Sequence, residues 1–243
     1  MAAMAPRITS ITPLGEGACG GAMVAVHLRV PVMDEVADTH EAAYAADTHE
    51  ATCMADARTV RMSTERVCLL LEQYAVLRLS AGEISLAKLE AIREAGRLTA
   101  AIRRGLTLLQ YGDRSARRLT YQLTAKGIDR ASAEAAVAYL SDHGYIREDS
   151  AATRRAEQSV RKLWGPRRIR EDLRAAGYSP DAIEDAMAAL EDVDFEENCL
   201  TLLRKKSPAP PTDRAARQKL MAAVMRMGYE GDMVRRCMNE MRD

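Results

Sequence analysis

The sequence predicts a mainly α fold of tandem three-helix, helix-turn-helix-like repeats in an elongated array, preceded by a small N-terminal β-hairpin or sheet with helices. Three observations predict it. Aromatic residues make up only 4% of the 243 residues, whereas Ala, Leu and Met are plentiful, a balance that favours helix over sheet. One helical pattern recurs three times in the second half of the chain. Near the N-terminus, two β-like runs flank a glycine-rich stretch.

The first elements are the runs Arg7 to Thr12 and Met23 to Val30, joined by Gly15 to Gly21 as a hairpin with a loose loop. Alternation places Val24, Val26, Leu28 and Val30 on one face. A third short run, Thr59 to Met62, is expected to complete a small sheet, which needs a helix to lean on. Ser63 then reads as an N-cap, with Val67, Leu70, Leu71 and Tyr74 at helical period until Ala81-Gly82 interrupts. A second helix is expected from about Ile84 to Leu109.

The repeat begins at Ser115. Leu119 and Leu123, Ile169 and Leu173, and Leu220 and Val224 are apolar pairs four apart, each followed four residues later by a glycine, Gly127, Gly177 or Gly228. A helix ends naturally at such a glycine in the left-handed conformation, and the apolar residue after it folds back. The glycines are 50 and then 51 residues apart. Ser115 is an expected N-cap, Gly165 stands before Pro166, and Ser179 before Pro180 opens the following helix. Upstream helical stretches around Ile102 to Leu109, Ala151 to Leu163 and Glu196 to Arg204 make three helices per unit. The expected organisation is residues 1–100 as a hairpin and helical region with an insertion at 31–55, then repeats at 101–148, 149–195 and 196–243. An amphipathic helix pair of this length cannot bury its apolar face alone, so stacked units share a continuous core.

Catalysis finds no support in the residues. Gly15 to Gly21 lacks the lysine and hydroxyl of a phosphate-binding loop, and no serine or cysteine motif surrounds His27 or His143. The segment Ala37 to Ala42 recurs as Ala46 to Ala51, bringing His40-Glu41 and His49-Glu50 nine residues apart. Neither pair has the histidine spacing that puts two ligands on one helical face, so a solvated duplicated insertion is the reading preferred to a metal-dependent hydrolase. No cofactor is expected. Five scattered cysteines, Cys19, Cys53, Cys68, Cys199 and Cys237, form no CxxC and read as reduced thiols in a cytoplasmic protein. The longest early apolar run, Ala22 to Val26, is too short for an export or membrane segment.

Charge is the stronger lead. The chain is neutral as a whole, but residues 101–243 hold 26 basic and 22 acidic groups against 9 and 13 in residues 1–100. Between Arg154 and Arg170, seven cations stand against the single acid Glu157. The candidate binding residues are Arg154, Arg155, Arg161, Lys162, Arg167, Arg168, Arg170 and Arg174. A solvated helix face is the plain reading; contact with phosphates or an acidic protein groove is the functional one. Trp164, inside the cluster, reads as a core anchor between units or an exposed contact.

These residues resemble the RecX regulatory proteins, modulators of the RecA recombinase. The resemblance rests on Gly165-Pro166-Arg167-Arg168-Ile169-Arg170 followed by Leu173, Gly177 and the acidic helix Asp181 to Leu190, and on Tyr139 to Asp149 at the end of the first repeat. Leu202 to Lys206, Arg217 to Leu220 and Gly228-Tyr229 fit the third. It covers roughly residues 100–243, and Leu79 to Ile84 with the hairpin is similar to the extension of longer members. Departures are Ser150 and Ala151, where the family usually has an acidic residue and an aromatic, and the insertion at 31–55. The resemblance implies a monomeric, non-enzymatic inhibitor that lies in the groove of the RecA filament on DNA. There it restrains ATP hydrolysis, strand exchange and co-protease activity, touching the DNA phosphate backbone without reading sequence. A free-standing DNA-binding helix-turn-helix protein is the alternative the residues leave open.

Overall fold

A computed structural model describes residues 5–16, 22–33, 60–209, 211 and 213–241. The glycine-rich loop, most of the insertion, both His-Glu pairs, Cys19 and Cys53 lie outside the described residues. The chain divides into two compact units, Met1–Arg103 and Arg104–Asp243.

The first unit is built on a four-stranded antiparallel sheet with strand order β3-β2-β1-β4, formed by β1 (Arg7–Glu16), β2 (Ala22–Met33), β3 (Val60–Leu70) and β4 (Gly82–Glu83). Val24, Val26, Leu28 and Val30 are all buried as expected, but Met23 and Ala25 of the opposite face are buried as well. Val26, Leu28 and Val30 form a core with Ile8, Leu69, Leu79, Leu89 and Ile92, the last two from α2 (Leu86–Leu109).

Here the structure corrects the sequence reading. Residues 63–70 continue a strand rather than starting a helix: β3 pairs with β2 without a break from Val60 opposite Met33 to Leu70 opposite Met23. Ser63 sits in that ladder opposite Val30, and the helix is only the short α1 (Leu71–Leu77), with no buried residue. Val67, Leu70, Leu71 and Tyr74 fit a helical period, but an unbroken ladder pairs the inward-facing backbone groups of this edge strand with central β2 and buries Leu69. Gly82, expected with Ala81 only to interrupt a helix, instead forms with Glu83 the fourth strand beside β1.

The second unit is helical: the last turns of α2, then α3 (Ala116–Thr124), α4 (Arg130–Asp142), α5 (Glu148–Arg161), α6 (Pro166–Ala176), α7 (Pro180–Ala188), α8 (Phe195–Lys206), α9 (Arg214–Met225) and α10 (Gly231–Glu240). All six repeat positions are buried, with Leu119, Leu123, Ile169, Leu173 and Val224 fully so. Each such side chain contributes about 1.5–3 kcal/mol when fully removed from water. Ile169 and Leu173 share a cluster with Ala151, Ala152, Ala156, Ile183 and Ala186, while Leu220 and Val224 share another with Leu200, Leu203, Val234 and Met238. These are two cores of the same design.

Helix ends follow the local chemistry. Ser115 and Ser179 accept hydrogen bonds from Arg118 N and Ala182 N, and Pro166 and Pro180 occupy first-turn positions where no backbone donor is needed. Asp129, Asp194 and Asp213 cap three further helices in the same way. In α8 the acids Glu196 and Glu197 stand in the first turn and Arg204, Lys205 and Lys206 in the last, matching the helix dipole.

Candidate functional site

The helical units are joined end to end. At the joint between the third and second units, Gly165 N donates to Met227 O at 2.7 Å and Arg167 N to Gly228 O at 3.2 Å. The first, unpaired amides of α6 are thereby satisfied by carbonyls of the turn that ends α9. A Cβ on Gly165 would stand 2.5 Å from Gly228 C, and one on Gly228, whose φ is +95°, would collide with Arg168 N. Only bare Cα atoms permit this approach. Tyr229, buried beneath, donates its phenol to Leu163 O at 3.2 Å, and Leu163 holds a left-handed φ of 57°.

Within the same helical unit, the joint between the second and first three-helix repeats uses the equivalent positions. Ser115 caps α3 and donates its hydroxyl to Ala176 O at 2.7 Å, beside Gly177. Glu148, in the first turn of α5, accepts from Ala116 N at 2.6 Å and Ser179 N at 3.3 Å, tying two helix starts together. Thus α9 leads into α6 and α6 into α3, head to tail.

The eight candidate cations divide into two groups. Arg155 is held by Asp172 through two hydrogen bonds of 2.6 and 3.1 Å, an α5–α6 clasp. Those bonds raise its pKa above the ordinary arginine value, so the charge is permanent and already balanced. Arg154 pairs with Asp113 at 2.7 Å, an exposed contact worth no more than about 1 kcal/mol. Arg168 lies 4.2 Å from the centre of the Trp164 ring and reaches Met227 Sδ at 3.0 Å, so it braces the second joint. Lys162 also stands over Trp164, at 5.3 Å. Trp164 itself is half-buried against the core of the second unit, with cations on its face. Arg161, Arg167, Arg170 and Arg174 are exposed and make no ion pair among the described residues.

Sequence reasoning missed the partners of this second group. Arg117, Arg118 and Tyr121 of α3 line a shallow groove with Arg174 and Gly177, and Arg117 also lines a larger one with Arg170, Arg174 and Tyr178. The first joint therefore gathers arginines from two units. A signal was present: Arg117-Arg118 aligns with Arg167-Arg168 in the repeat. Among the described residues no cluster suits a metal ion, and no helix is long and apolar enough to cross a membrane.

Tandem three-helix units, joined through equivalent helix ends, define a helical-repeat protein. The chain belongs to the family of RecX regulatory proteins. Residues 192–238 match the family model described as RecX, third three-helix domain. The regulatory protein RecX of Stenotrophomonas maltophilia strain R551-3 is 34% identical over 136 residues, covering 56% of this chain and 83% of that protein. Its counterpart in strain K279a is 37% identical over 140 residues with the same coverage. A crystal structure of a regulatory protein RecX covers 94% of this chain and 96% of its own at a TM-score of 0.64 and 17% identity. RecX from Lactobacillus salivarius covers 60% of this chain and 97% of its own at a TM-score of 0.53 and 19% identity. These two structures show the fold.

Proposed function

We propose that this protein is a non-enzymatic, cytoplasmic regulator of RecA that lies on the RecA–DNA filament and restrains ATP hydrolysis, strand exchange and co-protease activity. Its working parts are the units at 101–148, 149–195 and 196–243, acting as one monomer. Membership of a family of regulatory proteins supports the reading. The observation that carries it is the set of exposed arginines, Arg161, Arg167, Arg170 and Arg174, that stand without ion pairs among the described residues on end-to-end helical units. Guanidiniums left uncompensated in the free protein bind phosphate or carboxylate without first breaking an internal pair. Arg154, Arg155, Lys162 and Arg168 support that face, each already engaged by a neighbour.

Substoichiometric protein should lower the DNA-dependent ATPase and strand exchange of purified RecA; unchanged rates would reject the reading. The double variant Arg161→Glu/Arg167→Glu should lose inhibition while keeping its helical circular dichroism, since neither side chain is buried. A sequence-specific footprint on DNA without RecA would assign the protein instead to free-standing DNA binding.

A further inference from the structure

The groove between β3 and α2 in the first unit lies outside the function proposed above and carries chemistry of its own. It is lined by the small residues Cys68, Gly96, Thr99 and Ala100, by Arg66 from β3, and by Arg93, Arg97 and Arg103 from α2. Gly96 lets the helix lie against the strand, since a Cβ there would run into Val67. Four arginines therefore line one shallow cleft.

Among the described residues no carboxylate lines it. Glu65 is held outside by Arg93 through a two-pronged pair, and Glu90 lies 2.9 Å from Arg97 with both side chains at least half exposed. An exposed pair of that kind contributes no more than about 1 kcal/mol, so Arg97 exchanges Glu90 for an incoming anion at little cost. The planar forks of arginine match phosphate oxygens two at a time. Among the described residues no aromatic side chain lines the groove to stack a base, so contact falls on the backbone of a strand rather than on its sequence. An acidic protein segment would draw most of its affinity from large anchors in deep pockets, and Val67, Cys68 and Ala100 form no such pocket.

We infer that this groove is a second polyanion site, which holds the phosphodiester backbone of a nucleic-acid strand through Arg66 and Arg97, with Arg93 and Arg103 adding positive charge to its lining. The inference is independent of the reading of the tandem helices and places a strand-binding surface on the N-terminal unit as well.

Cys68 reports on the site. It is half-buried and lines the groove, whereas Cys199 and Cys237 are buried. Alkylation of the full-length protein by iodoacetamide, followed at Cys68 by peptide mapping, should slow several-fold with an oligothymidylate and recover as salt rises. Arg66→Glu/Arg97→Glu should abolish that protection. The neutral pair Arg66→Gln/Arg97→Gln should weaken it and reduce its log-log salt slope by roughly 1.4, at about 0.7 for each single-strand phosphate that is no longer neutralised. Arg161→Glu/Arg167→Glu should leave protection intact, which separates failure here from failure of the RecA reading. Three results would overturn the inference: no protection by the oligonucleotide, equal protection by polyglutamate, or full protection in a folded arginine variant. Thermal melting identifies folded variants, and the glutamine pair decides if the glutamate pair does not fold.

Discussion

The two joints of the helical unit make one contact in two ways. Ser115 and Gly165 occupy the same position of the repeat, as do Gly177 and Gly228. Where the N-cap is serine, a hydroxyl fills the space between units, accepting from Arg118 N and donating to Ala176 O. Where it is glycine, the amide itself donates to Met227 O and the backbones meet. The first joint is therefore closed by side chains, Ser115, Glu148 and the stem of Arg117, which adjust through rotamers. The second is closed by main chain, which does not. Repetition of a sequence pattern thus reproduces the topology of a contact, while one residue at the cap decides its tolerance.

That difference is broken most forcefully at Gly228. Gly228→Val should cost about 3–5 kcal/mol, combining left-handed backbone strain with an overpacked contact against Arg168 N. Gly177→Ala should cost only about 1–2 kcal/mol, because its φ of +84° is unfavourable but its neighbours are Ser115 Oγ and Arg117 side-chain atoms at 3.1 to 3.3 Å. Urea unfolding followed by helical circular dichroism ranks them. Equal costs would mean that the second joint yields as readily as the first.

Much of this design is legible in the sequence because it is local. The apolar pairs Leu119/Leu123, Ile169/Leu173 and Leu220/Val224, the capping serines and the terminal glycines depend on residues a few positions apart. The start of the third strand was legible in the run Thr59 to Met62, but its continuation to Leu70 was not, since Val67, Leu70 and Tyr74 stand at helical spacing and only pairing with distant Ala22–Met33 overrides it. The basic face was legible as a count of charge but not as a surface. Asp172 and Asp113 neutralise Arg155 and Arg154 only after α5, α6 and the chain before α3 have come together. Arg117 and Arg118 do not stand out by charge density along the chain, because the joint collects arginines from two separate runs of residues.

The polar closure of the first joint gives the next effect. Ser115→Ala removes a helix cap and the donor to Ala176 O together, and should destabilise by about 1–2 kcal/mol. Glu148→Ala leaves Ala116 N and Ser179 N without their shared acceptor and should cost a similar amount. Combining the two should give a cost that departs from the sum, because Ala116 follows Ser115 and both ties hold the start of α3. Strict additivity in a double-mutant cycle would show that they act separately.

The smallest effect separates Tyr229 from its repeat equivalent Tyr178. Tyr229 donates to Leu163 O and is 1% exposed, whereas Tyr178 makes no such bond among the described residues and lies in the wall of a groove. Tyr229→Phe should therefore cost about 1 kcal/mol at neutral pH and Tyr178→Phe close to nothing. Burial raises the pKa of the Tyr229 phenol above its ordinary value, so the folded protein keeps a proton that the unfolded chain releases near pH 10. Stability from this group is fully present below that pH and lost as pH rises beyond it, by up to about 1.4 kcal/mol per unit. The advantage of the native protein over Tyr229→Phe should accordingly hold from neutrality to about pH 9.5 and shrink above pH 10. An advantage that persists at high pH would place the phenol in solvent and leave the second joint held by glycine backbone alone.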